Sequence, residues 1–344
     1  LVKVGLVPLA AAGLLAVAVG IGLVVVGGRR VWRGTPGWWR LLALPALLLA
    51  APAVVAPLAQ AVAVTVVPPI PLGSLLPADR GLVAESVTFV ADDGVRLSGW
   101  YVPSRGGAAV ALLHGAGSTR TAVLDHAAVL ARNGYGVLLY DARGHGRSQG
   151  RAMELGWHGD ADAAGAVTYL RSRPDVDPRR IALLGLSMGG EQAIGAAAGD
   201  GRVRAVVAEG ATGRVAADEG WLADVHGLRG RLTMPVEHLA TAVTDLLTDA
   251  EPPLPLRTAA AAMAPRPLLL IAAGEVSAEQ HAAAWIRAGS PRSVQVWTVS
   301  GAGHTAALRV APDAWERRVI GFLDTALGQS GRDPHEHGYA VRSP

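Results

Sequence analysis

Residues 180–190, Arg180-Ile181-Ala182-Leu183-Leu184-Gly185-Leu186-Ser187-Met188-Gly189-Gly190, decide how the rest of the chain is read. The apolar run within Arg180–Leu184 predicts a buried strand, and Gly189–Ala198 predicts a helix. Between them a single serine sits among glycines. A side chain on so sharp a strand-to-helix turn stands in a strained backbone conformation, and the flanking glycines leave room for it. Its hydroxyl then points out of the sheet, while the first N–H groups of the helix face any negative charge developing beside it. Ser187 is therefore the candidate nucleophile.

Outward from this turn the alternation of strand and helix continues. Glu85–Val90 and Val95–Val102 are short β-type runs joined by Asp92-Asp93-Gly94, a hairpin signal. Ala108–Leu113, Gly136–Tyr140, Val203–Ala208, Leu268–Ala272 and Val294–Val299 predict further strands. Helices are expected near Thr119–Arg132, Asp160–Arg171, Ala278–Arg287 and Pro312–Ala326. Apolar strands separated by helices predict an α/β fold with a mostly parallel sheet covered on both faces. Residues 211–264 are too long for a bare connection and are expected to form a small, partly helical cap over the site.

Several motifs occur in a telling order. His114-Gly115-Ala116-Gly117 follows the third strand, and Tyr140-Asp141-Ala142-Arg143-Gly144-His145-Gly146 follows the fourth. Asp177-Pro178-Arg179-Arg180-Ile181 leads into the serine strand, and Gly301-Ala302-Gly303-His304 follows the last. From about Glu85 to Leu327 the chain resembles the α/β-hydrolase superfamily. The resemblance implies that His304 is the general base, since a serine hydroxyl is a poor nucleophile near neutral pH until an imidazole takes its proton. It also implies that Ala116 and Met188 donate backbone N–H groups to an oxyanion, and that the turn holding Asp141 and His145 is structural.

A third group, an acid, should orient His304. Similar proteins place an aspartate about three residues beyond a glycine at the end of the Leu268–Ala272 strand; after Gly274 that position is Ser277. Glu275 is the preferred candidate, with Glu279 and Glu209 as alternatives.

Composition excludes much else. The chain has no cysteine, so thiol nucleophiles, disulfides and thiolate metal sites are out. Its only lysine is Lys3, which removes phosphate loops and Schiff-base chemistry from the body of the chain. Five of the 31 basic residues precede Asp79 and none of the 28 acidic ones does, leaving 26 bases against 28 acids, a formal −2. That balance argues against a nucleic-acid face. His335, Glu336 and His337 lie in a polar tail, 329–344, without the further ligands a metal site needs. No metal or cofactor is expected.

The first 67 residues have a different character. Residues 4–28 and 41–67 are uncharged apolar runs, each long enough to cross a ~30 Å hydrocarbon core, and predict two transmembrane helices. Arg29, Arg30, Arg33 and Arg40 with Trp32, Trp38 and Trp39 crowd the loop between them, a pattern of the cytoplasmic interface, which places the catalytic part outside the cell membrane. A signal peptide or a buried helical hairpin are the other readings. Residues 68–82 are expected to be a proline-rich linker, and 83–328 the hydrolase domain. The expected whole is a membrane-anchored serine hydrolase at the lipid bilayer, cleaving a small-molecule ester. A peptidase or amidase on the same residues, or a non-catalytic binding protein, are the alternatives. Oligomeric state is not legible.

Overall fold

The computed structural model describes residue 18, residues 20–22, 25–30 and 32–34, and residues 36–328 continuously. Among these residues eight strands form one sheet: β1 (Glu85–Val90), β2 (Arg96–Val102), β3 (Ala109–Leu113), β4 (Gly136–Tyr140), β5 (Ile181–Leu186), β6 (Ala205–Glu209), β7 (Leu268–Ala273) and β8 (Val294–Val299). Their order is β1-β2-β4-β3-β5-β6-β7-β8. β2 runs antiparallel to β1 and β4, and every later pair is parallel.

Burial explains the sequence pattern strand by strand. β3 to β7 are buried along their whole length, as strands covered on both faces must be. The edge strands β1 and β8 are partly exposed. Alternate residues of β3 feed two cores: Ala109, Ala111 and Leu113 face one layer, Val110 and Leu112 the other. On the first face lie α3 (Gly159–Arg171), α4 (Met188–Gly199), α7 (Leu256–Ala262) and α8 (Ser277–Arg287). On the second lie α2 (Leu124–Arg132) and α10 (Pro312–Leu327), preceded by the short α9 (Ala307–Val310).

The insertion at 211–264 is mostly helical, with α5 (Trp221–His226) and the 20-residue α6 (Leu228–Leu247) before α7. Its longest helix packs along α1 (Arg40–Thr65), the first long helix of the described chain. Next to α1, the backbone N–H of Glu154 donates to Val64 O at 2.9 Å, and Ala61 and Thr65 are buried. Residues following α1 are also held to the body, because Gly146 N–H donates to Ile70 O at 2.7 Å.

The expectation of two transmembrane helices at 4–28 and 41–67 finds no support. Among the described residues no helix is long and apolar enough to cross a membrane. The C-terminal half of α1 is engaged by protein instead, on the cap helix and the loop around Glu154. Most of the stretch 4–28 lies outside the described residues, as does the tail 329–344 with His335 and His337.

Candidate active site

The turn after β5 has the strain its sequence implies. Ser187 has φ 53° and ψ −124°, and with Thr305 it is one of the two non-glycine residues of positive φ among the described residues. The flanking glycines are required by close approach of backbone. A Cβ on Gly185 would lie 2.1 Å from Gly189 O, and one on Gly189 would lie 2.4 Å from Leu113 O. α4 therefore starts tight against the strand ends. Ser187 N–H donates to Glu209 O at 2.7 Å, which ties the turn to the neighbouring strand.

Ser187 and His304 line the same cavity of about 870 Å³, together with Gly115, Ala116 and Leu186. His304 lies in the loop after β8, and its side chain is half exposed. Its Nδ1 is 2.7 Å from Glu279 Oε1. A carboxylate can only accept, so Nδ1 carries the proton and Nε2 keeps its lone pair for a hydroxyl. The hydrogen bond that His304 donates to this carboxylate, more than the carboxylate's charge, raises the His304 pKa above the ordinary 6.5, against the opposing effect of partial burial.

Glu279 sits in the first turn of α8 and is 1 % exposed. Its second oxygen, Oε2, accepts from Ala273 N–H at 2.8 Å, so the carboxylate is clamped between the end of β7 and the imidazole. Gln280 adds a brace, donating to Gly274 O at 2.9 Å. Glu275, the acid preferred on sequence, is exposed on the loop, where its backbone N–H donates to Ala302 O at 3.0 Å. The correction has a simple physical basis. A glutamate two residues into a helix reaches back across the strand end by its extra methylene, to the place a shorter acid would occupy from the loop.

Glu209 is also near the histidine loop but in a different role. Its Oε1 accepts from Ala307 N–H at 2.9 Å and its Oε2 from Trp315 Nε1–H at 3.2 Å. With its backbone carbonyl on Ser187 N–H, this one buried residue ties the serine turn to the loop carrying His304. Burial raises its pKa, while the two donors oppose that rise.

The glycine-rich loop after β3 is fixed from below. His114 is buried; its Nδ1–H donates to Gly115 O at 2.8 Å and its Nε2 accepts from Ala142 N–H at 3.0 Å. Burial pushes its pKa down to about 3, so the ring stays neutral and keeps this tautomer. Ala116 lines the cavity, and Met188 opens α4, whose first N–H groups have no intrahelical acceptor. Asp141 accepts from Arg120 N–H and Arg147 N–H at 3.0 and 2.9 Å. Arg143 is held by Asp162 at 2.6 Å and Asp93 at 2.7 Å. This turn therefore anchors the oxyanion-side loop to the hairpin and to α3.

Sequence reasoning did not single out His126, Arg80, Arg132 or Arg309, which also line the cavity. No local motif marks them as a group, because they come from three separate segments: Arg80 from the linker, His126 and Arg132 from α2, and Arg309 from α9. The cap expected over the site is absent from the lining: among the described residues, the cavity wall comes from α2, the loop after β3 and the α9 region, and not from 211–264. Among the described residues no group of three or more His, Asp or Glu is placed to hold a metal.

Sheet order, nucleophile turn and histidine loop are those of the α/β-hydrolase fold. Comparison with known proteins agrees with that fold. A family model described as serine aminopeptidase, S33, matches residues 105–250, which include Ser187 but stop short of Glu279 and His304. An uncharacterised protein of Mycobacterium tuberculosis is 41% identical over 133 residues, 38% of this chain and 45% of that protein. A thiohydrolase of Aspergillus aculeatus, aneE, is 39% identical over 125 residues, 35% of this chain and 39% of that one. The chain thus spans under half the length of these curated relatives. The Pyrococcus furiosus esterase Pf2001 superposes with a TM-score of 0.58 at 26% identity, covering 76% of this chain and 100% of that one.

Proposed function

We propose that the chain is a serine hydrolase that cleaves carboxylic esters through an acyl-enzyme on Ser187. The observation that carries this reading is the buried Glu279 carboxylate 2.7 Å from His304 Nδ1, with His304 and the strained Ser187 on one cavity. In the first half-reaction Ser187 Oγ bonds to the acyl carbon while its proton passes to His304 Nε2. The tetrahedral oxyanion is held by the N–H groups of Ala116 and Met188. Its collapse breaks the bond to the alcohol, which leaves with the proton from His304. Water then repeats the sequence on the acyl-enzyme, releasing the acid and restoring both side chains. Glu279 orients the imidazole and stabilises its protonated form.

A fluorophosphonate probe tests the reading. The intact protein should be labelled at Ser187, and the Ser187→Ala variant should not; labelling that persists in that variant would place the nucleophile elsewhere. The family model's description as a serine aminopeptidase supports a second reading, amide cleavage by the same residues. Parallel p-nitrophenyl ester and p-nitroanilide series separate the two.

The uncharged runs at 4–28 and 41–67 and the Arg/Trp-rich loop between them support association of the N-terminal region with a bilayer, with the catalytic body outside the cell. Alkaline carbonate washing of membranes tests the first point. Orientation is open to a direct check because the chain has no cysteine. An Arg292→Cys variant should react with an impermeant maleimide on intact cells, and protection until lysis would reverse the assignment.

A further inference from the structure

The cavity that holds Ser187 continues away from it along α2 and the start of α10, and this wall is cationic. Among the described residues, Arg80, Arg132 and Arg309 line it against a single lining carboxylate, Asp125. Two of these arginines are already held: Arg80 pairs with Asp125, and Arg132 with Glu316, its Nε 3.0 Å from Glu316 Oε1. Arg309 is different. It is exposed and, among the described residues, forms no ion pair or hydrogen bond.

A second feature of the same wall independently indicates a ligand. His126 lines the cavity, is 5 % exposed, and has no hydrogen-bond partner on either ring nitrogen. It packs edge-on against Trp315, with centroids 5.2 Å apart. Buried polar atoms are nearly always paired, so this unpaired imidazole marks a wall whose polar groups the protein alone does not satisfy. Burial keeps this imidazole neutral, its pKa pushed down to about 4, so it can accept or donate without adding charge.

Building on the ester-hydrolase reading, we propose that this wall is an anion subsite and that the preferred substrate is an ester carrying a second, ionised group, a carboxylate or phosphate. Arg309 pairs with that group, the held arginines Arg80 and Arg132 add to the positive field, and neutral His126 adds a polar side chain to the same wall without adding charge. The free arginine is the part that chooses, because an unpaired guanidinium loses no existing partner when it binds an anion.

The mono-p-nitrophenyl ester of glutarate and its methyl-capped neutral counterpart differ only in this charge. The anionic ester should have the larger kcat/KM by tenfold or more at low salt, and the ratio should shrink as ionic strength rises. Arg309→Gln should lower that ratio by about tenfold, whereas Arg292→Gln, a surface control, should leave it in place. A ratio near one in the intact protein, or a ratio unmoved by Arg309→Gln, overturns the subsite. A 1-acylglycerol 3-phosphate against the matching monoacylglycerol shows whether phosphate, rather than carboxylate, is the anion; preference for either charged member supports the proposal. Calorimetric titration of Ser187→Ala with monomethyl glutarate and with dimethyl glutarate reads the subsite without turnover. Tighter binding of the anion supports it even if Ser187 resists the fluorophosphonate probe, and equal binding overturns it even if the probe labels.

Discussion

Glu279 Oε1 lies 2.7 Å from His304 Nδ1, and the other oxygen of the same carboxylate accepts from the backbone of Ala273. The acid is therefore aimed by the sheet itself rather than by the loop that carries Glu275.

Replacing Glu279 by Gln keeps the shape and removes the charge. A glutamine amide beside Nδ1 favours the wrong tautomer, and kcat should fall on the order of 10³–10⁴-fold, as for the equivalent change in serine proteases. The same substitution should shift the acidic limb of the pH–rate profile. Only neutral His304 can take the serine proton, and its pKa is raised mainly by the Glu279 hydrogen bond. In the variant the limb should move to lower pH. For stability the sign is opposite: the pair contributes fully below the ordinary value of 6.5 and is lost as pH rises through the folded one. A limb that stays put would mean that Glu279 does not set the histidine's charge.

Glu209→Gln tests a purely positioning role. The native carboxylate accepts from two donors, Ala307 N–H and Trp315 Nε1–H. A glutamine side chain has one acceptor oxygen, so one buried donor is left without a partner, at a cost of about 1–3 kcal/mol. Denaturant unfolding should register that loss. Activity should fall through kcat as the His304 loop loosens, with labelling by a fluorophosphonate slowed but still confined to Ser187. Unchanged stability would count against the clamp.

The strain at Ser187 can be measured by comparing two inactive variants. At φ 53°, ψ −124° an alanine keeps the Cβ and its steric penalty, while a glycine does not. Ser187→Gly should therefore melt above Ser187→Ala, by an amount equivalent to about 1 kcal/mol after the extra chain entropy of glycine is counted. Equal melting temperatures would mean that the turn is relaxed.

Glu219 lies in the crevice of about 140 Å³ between α1 and the cap, facing Gln60 and Glu237. Burial, and then the charge of Glu237, raises its pKa to about 7 from 4.5. The folded protein thus holds a proton that the unfolded chain releases, so this site's contribution to stability is present below about 4.5 and lost as pH rises to about 7. Glu219→Gln should stabilise the protein at pH 8 relative to its parent and change little at pH 4.5. The check is denaturant unfolding at both values; a parallel offset at the two would sink the explanation.

Much of the fold was legible in the chain itself. The apolar run 136–140 coincides with its strand end to end, because a strand covered on both faces needs nothing but a local run of apolar residues. The serine turn was legible for a similar local reason: Gly185 and Gly189 are dictated by backbone contacts within the motif and with the adjoining strand. The helix Arg40–Thr65 shows the limit of the same logic. Its composition reads as a membrane span, yet α6 packs along it and Glu154 bonds to its end.

The acid partner, the clamp at Glu209 and the cationic wall were beyond local reading. Glu275, Glu279 and Glu209 are equally acidic in sequence; only the direction of α8 and the seating of Trp315 decide which carboxylate meets the imidazole. Arg80, Arg132, Arg309 and His126 share a cavity only after the linker, α2 and α9 have packed. Sequence alone determined the sheet and the place of the serine, since periodicity and glycine spacing are properties of neighbouring residues. Tertiary structure decided what surrounds that serine, since distances between residues far apart in the chain depend on how the layers pack.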